Sequence, residues 1–158
     1  MSTSLSGVYL HSLQRGEFVR VIHHPRNRQA QLVQVSPQGI IVYYGGNYKQ
    51  LCFYTVNGKL LWSQPLEESL LAMALSADGR LLLTGGLGKV LTAYVVTYKG
   101  LTAIQSSAPL DASIRVVSWC ETEQAFYAMV GLSTGSVALF AVEPAKAVKH
   151  LTPDVFWT

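Results

Sequence analysis

One short run of residues is spelled out three times in this chain. Val-Ser-Pro-Gln-Gly at 35–39 returns as Leu-Ser-Ala-Asp-Gly at 75–79 and, more loosely, as Val-Ser-Trp-Cys-Glu at 117–121. Each copy opens onto an apolar stretch that closes on glycine, at Gly45-Gly46, Gly85-Gly86 and Gly131, and a second apolar stretch follows at 51–56, 91–96 and 137–142. Counting from Ser36 to Ser76 to Ser118 gives a period of about 40 residues, the length of one four-stranded propeller blade. A blade buries its faces only against its neighbours, so the pattern predicts a stacked array and not a self-contained enzyme domain.

Composition supports many short, half-buried strands. Of the 158 residues 49% are hydrophobic and only 13% charged, too apolar a balance for disorder. Gly, Pro or polar residues interrupt every apolar stretch well before the ~18 residues a membrane helix needs. The opening Met1-Ser2-Thr3-Ser4-Leu5-Ser6 has neither the basic start nor the apolar centre of a secretory signal. No 3.6-residue period is sustained anywhere, which argues against an α/β fold.

Turn chemistry divides the chain. Pro37-Gln38-Gly39, Gly45-Gly46-Asn47 and Asn57-Gly58 supply the backbone freedom of tight hairpins, and Asp78-Gly79 and Lys99-Gly100 do so in the second copy. Blades are expected at about 31–66, 71–110 and 114–150, preceded by a hairpin at 7–22. Residues 1–143 then form one partial propeller, with 144–158 a C-terminal tail.

Ser-Ala-Asp-Gly, then Leu-Leu-Leu-Thr-Gly-Gly at 81–86, then a strand ending in an aromatic resembles a WD40 repeat. The runs 54–61, 81–86 and 135–140 are similar to the carboxyl-terminal WD40 propeller of BEACH-domain proteins of the neurobeachin type, over about residues 15–143. The fold expected is thus all-β, a partial WD40-type β-propeller of about three four-stranded blades plus the hairpin. The naming Trp-Asp pair is replaced by Tyr54-Thr55, Tyr94-Val95 and Phe140-Ala141, with His11 at the same place in the hairpin. Aromatic packing should therefore replace the usual buried Ser/Thr-His-Asp-Trp network.

Several segments imitate catalytic motifs. Gly131-Leu132-Ser133-Thr134-Gly135 matches G-x-S-x-G, which works as a nucleophile elbow only on a strand-to-helix turn with an acid and then a histidine downstream. Here another strand follows and His150 and Asp154 come in the wrong order, so Ser133 reads as a hairpin residue. Gly85-Gly86-Leu87-Gly88-Lys89 lacks the glycine spacing, the Ser/Thr and the helix of a phosphate loop. Histidines 11, 23, 24 and 150 do not have zinc-ligand spacing, and Cys52 and Cys120 read as reduced, packed thiols. No catalytic residue, metal site or cofactor is expected.

The remaining expectation is a non-catalytic protein-interaction scaffold. What the BEACH resemblance implies is a cytosolic protein of vesicle or membrane trafficking with peripheral membrane association. The chain would be the C-terminal part of a longer protein, whose upstream chain supplies the other blades. Protein or peptide partners should dock where inter-blade connectors and second-to-third-strand hairpins share a face, at Tyr48, Lys49, Glu67, Glu68, Lys89, Asp111, Ser113 and Arg115. Nucleic acid is not expected, because aromatics are not interleaved with the basic residues. The alternative is a phosphoinositide- or membrane-surface-binding propeller that uses the basic segment Arg15, Arg20, Arg26 and Arg28.

Overall fold

The computed structural model describes residues 2–4, 7–23, 30–45, 49–97 and 99–143. Among them are fourteen strands, each paired antiparallel with its neighbour, in four sheets. The first sheet holds β1 (Ser2–Ser4), β2 (Gly7–Ser12) and β3 (Glu17–Ile22). The second holds β4 (Ala30–Val35), β5 (Ile40–Gly45), β6 (Gln50–Thr55) and β7 (Leu60–Pro65), and the third β8 (Leu70–Leu75), β9 (Leu81–Gly86), β10 (Thr92–Thr97) and β11 (Gly100–Ser106). The fourth holds β12 (Ile114–Glu121), β13 (Phe126–Leu132) and β14 (Val137–Val142). The sheets are meanders not closed into a barrel, an all-β arrangement of the kind a partial propeller has. The expected leading hairpin gains a strand, because β1 pairs with β2 from Ser2↔Tyr9 to Ser4↔Gly7. The fourth sheet shows three strands; the stretch expected to complete it, 144–150, lies outside the described residues.

Local chemistry sets the hairpins. Buried Ser76 accepts from the Leu81 amide through Oγ at 3.0 Å and donates to Asp78 Oδ1 at 2.6 Å, while that carboxylate accepts the Arg80 amide. Buried Ser36 accepts the Ile40 amide in the same way, and Gly39 and Gly79 follow at φ 78° and 74°. The third copy departs from the expected alignment. β12 runs through to Glu121, with Ser118 paired in the strand opposite Met129. By register Cys120, not Ser118, corresponds to Ser36 and Ser76. The turn is closed two residues later by Thr122, whose Oγ1 and amide engage Ala125. This longer hairpin carries Cys120 beyond the packed part of the sheet. It is exposed, against the expectation of a packed thiol.

The core lies between sheets. Ile41 and Tyr43 of β5 point one way, onto Val8, Leu10 and Ile22 of the first sheet. Ile40, Val42 and Tyr44 point the other, onto Leu70, Met73 and Leu82 of the third. The third sheet in turn packs Ala72, Leu83 and Ala93 against Ile114, Val117, Ala128 and Val130 of the fourth. β5 and β9 are buried along their whole length, which is why they read as unbroken apolar runs and not as alternation.

Register gives the repeat a sharper definition than sequence does. The first strand carries an extra residue at Gln31, Leu71 and Arg115, and the fourth carries one at Val19, Leu61 and Ile104. The fourth-strand bulge falls beside His11, Tyr54 and Tyr94, and with Phe140 these are equivalent third-strand positions, as expected. Their burial is graded. Tyr54 is buried and stacks on Tyr43 at 5.6 Å, Tyr94 and Phe140 are half-buried, and His11 is exposed.

A bond between neighbouring sheets recurs at one further position. Arg20 donates through Nη1 to the Asn57 carbonyl, Trp62 through Nε1 to the Thr97 carbonyl at 3.0 Å, and Gln105 accepts from the Glu143 amide at 3.0 Å. Arg20, Trp62 and Gln105 are equivalent fourth-strand positions, and Asn57, Thr97 and Glu143 are equivalent points at or just past the end of the third strand of the next sheet. Three unrelated side chains thus make the same clamp.

Candidate functional site

Five loops meet in a row along one end of the stack. Lys49, at φ 47° in the β5–β6 hairpin, accepts the Leu66 amide at 2.7 Å and donates from Nζ to the Glu67 carbonyl. The connector 66–69 then touches the β9–β10 hairpin, where the Leu87 amide donates to the Ser69 carbonyl and a methyl group on Gly88 would stand 2.6 Å from the Glu68 carboxyl carbon, so the carboxylate lies close over Gly88. Lys89, at φ 62°, accepts the Leu110 amide and reaches the Asp111 carbonyl with Nζ at 3.5 Å. The Ser133 amide donates to the Ser113 carbonyl and ends the row.

Of the residues expected to converge, Lys49, Glu67, Glu68, Lys89, Asp111 and Ser113 do so. Tyr48 lies outside the described residues. Arg115 is the exposed extra residue of the β12 bulge, two residues inside the sheet from Ser113.

Below the row, between the second and third sheets, is a cleft of about 270 Å³ lined by Glu67, Glu68, Leu70, Thr84, Thr92 and Tyr94. Burial raises the Tyr94 phenol pKa, and hydrogen bonding to Thr84 draws it partly back. The Tyr44 hydroxyl fixes the connector beneath it by donating to the Glu68 carbonyl and accepting the Leu70 amide at 3.2 Å. The cleft thus offers a phenol, hydroxyls and two carboxylates in one mouth, which suits a basic or hydrogen-bond-donating group. Sequence reasoning missed Tyr44, Thr84 and Tyr94 because all three belong to strands, and only inter-sheet stacking brings them to the connector.

The basic segment is less available than its sequence suggests. Arg20 is half-buried and clamped to Asn57, with Nε enclosed and unbonded. Arg15 is exposed in the β2–β3 turn. Arg26 and Arg28 lie outside the described residues.

The segments that imitate catalytic motifs are placed as hairpins. Leu132 and Ser136 are joined amide to carbonyl at 2.9 Å, and Gly135, at φ 88°, donates to Leu132, so Ser133 sits between β13 and β14. Residues 85–89 run from the end of β9 into the turn that leads to β10, also between two strands. No group of three or more His, Cys, Asp or Glu among the described residues has metal-binding geometry, and no helix among them is long and apolar enough to cross a membrane.

The thiols differ sharply. Burial pushes Cys52 up to about 12, its contact with the Tyr43 hydroxyl offsetting only part of the rise. At pH 8 its thiolate is scarce and its sulfur enclosed. A thiol reagent should label Cys120 alone in the native chain and both cysteines in denaturant. Two equivalents consumed under native conditions would contradict the packing around Cys52.

No known protein-family profile matches the chain. The chain is 25% identical over 149 residues to BEACH domain-containing protein B of Arabidopsis thaliana. That stretch covers 94% of this chain and 5% of the relative's length. The likeness is to a small part of a much larger protein, and it runs through all four sheets.

Proposed function

We propose that this chain is a non-catalytic interaction scaffold, a WD40-type partial propeller that serves vesicle or membrane trafficking in a BEACH-type protein. The observation that carries the reading is the bonded row of loops from Lys49 to Ser133 with the acidic cleft beneath it. Such loops, held by a rigid stack of sheets, present a fixed surface to a protein or peptide. The mouth formed by Glu67, Glu68 and Tyr94 would seat a basic side chain of the partner, an anchor of the kind that dominates interface energetics. The likeness to a BEACH-domain protein supports the trafficking role and a cytosolic, peripherally membrane-associated location. No reaction is assigned to Ser133, and Ser133→Ala is expected to leave any ester hydrolysis by the chain unchanged.

The test is a pull-down with the folded chain. Partners recovered with the parent are expected to be lost with the double variant Glu67→Lys/Glu68→Lys and retained when Arg26 and Arg28 are neutralised. The reverse pattern, together with binding to vesicles that contain a phosphoinositide, would move the site to the basic segment.

A further inference from the structure

The two ends of the stack expose faces that are covered everywhere else in the molecule. In the fourth sheet Val116, Met129, Val137 and Leu139 lie side by side, Val137 70% and Leu139 61% exposed. By register they correspond to Leu32, Val42, Leu51 and Phe53 of the second sheet and to Ala72, Leu83, Leu91 and Ala93 of the third. Those two sets form the contacts with the following sheet, and Leu51 and Phe53 are wholly buried there. The fourth sheet therefore carries the docking face of this architecture with no described residue upon it.

The opposite end carries the other half of the same contact. On the second sheet Cys52 and Tyr54 project backward onto Val8 and Leu10 of the first. Their equivalents in the first sheet are Tyr9 and His11, which gather with Phe18, at ring separations of 6.2 and 5.8 Å, on a face where Phe18 is 56% exposed. Val8 and Leu10 in turn correspond to Val137 and Leu139. The contact that joins the first sheet to the second inside the chain thus has both of its halves again, one at each end of the stack.

We propose that the Val116–Met129–Val137–Leu139 face seats the Tyr9–His11–Phe18 face of a second copy of this chain, head to tail. Contacts between unlike faces either close into a ring or run on as a filament. Two copies bring together about eight sheets, within the range at which propellers close, so the expected product is a closed dimer. Burying two apolar faces of this kind removes the exposed patch that each end otherwise presents to water.

Light scattering coupled to gel filtration tests this on the full chain. The parent is expected at twice the 17.3 kDa chain mass. Leu139→Asp and Phe18→Asp, both at exposed positions and checked for folding by circular dichroism, should each weaken dimerisation at least about tenfold, since a charge enters an apolar contact. Mixed one to one, the two variants should form a heterodimer, because one intact pair of faces remains between them. A monomeric parent at tens of micromolar would overturn the proposal and assign both faces to further blades of a longer polypeptide. A Phe18→Asp variant that dimerises like the parent, or a mixture that stays monomeric, would also overturn it.

Discussion

Phe53→Ala should cost about 3–5 kcal/mol, the largest loss expected from any single truncation in this chain. Phe53 has no exposed surface and lies in the layer between the second and third sheets, beside Val42, Leu51 and Leu82. Its ring stacks on Trp62 with centroids 3.9 Å apart, and Trp62 is the residue that clamps the Thr97 carbonyl of the next sheet. Removing the ring opens a cavity and also frees the indole to leave that bond. The loss should therefore exceed that of Phe140→Ala, whose ring is only half-buried on the fourth sheet. Urea melts of the two variants, followed by circular dichroism at constant protein concentration, check the order. Equal midpoints would show that Phe53 is not central to the stack.

Gly86→Ala is the second large effect, expected at about 3 kcal/mol or more, since overpacking against backbone has no cheap relief. A methyl group at Gly86 would stand 2.0 Å from the Ser69 carbonyl oxygen and 2.9 Å from the Leu70 Cα. Both belong to the connector and bulge that start the third sheet, and the Leu87 amide bonds to that same Ser69 carbonyl. Neither can give way without breaking the row of loops. Gly135→Ala offers the contrast. It has open space around it and only its φ of 88° to oppose a side chain, so about 1–2 kcal/mol is expected. If thermal denaturation placed the two variants at the same midpoint, the close approach at Gly86 would not be what constrains the packing.

Strands and turns were legible because they are written locally. Ile40-Ile41-Val42-Tyr43-Tyr44 admits little but a strand buried on both sides, and Asp78-Gly79 fixes its hairpin through a serine four residues or fewer away. The third copy was misaligned because Val117-Ser118 imitates Val35-Ser36, while the register puts the equivalent position two residues later, at Cys120. No local signal separates the two when a threonine closes the turn as well as a serine does. The row of loops was legible in outline, since each loop's position in the repeat follows from the period. Arg115 was grouped with the connector residues, whereas a bulge that the sequence does not show makes it the extra residue of β12. The clamp was beyond reach. Arg20, Trp62 and Gln105 are three different residue types, and only Arg20 stands out in the sequence, as one of four basic residues.

The clamp also bears on how sequence change is tolerated. Each instance needs only one polar group long enough to span from a fourth strand to a main-chain atom of the next sheet, and main-chain atoms do not mutate. An arginine donor, an indole donor and an amide acceptor all satisfy it. Half of every such bond is thus untouched by substitution, proline at an amide donor such as that of Glu143 excepted, and the other half accepts a broad vocabulary of side chains. The spacing between sheets can persist while the residues that maintain it drift past recognition, and this gives a physical route by which a stack keeps its shape when only a quarter of its residues still agree with those of a relative.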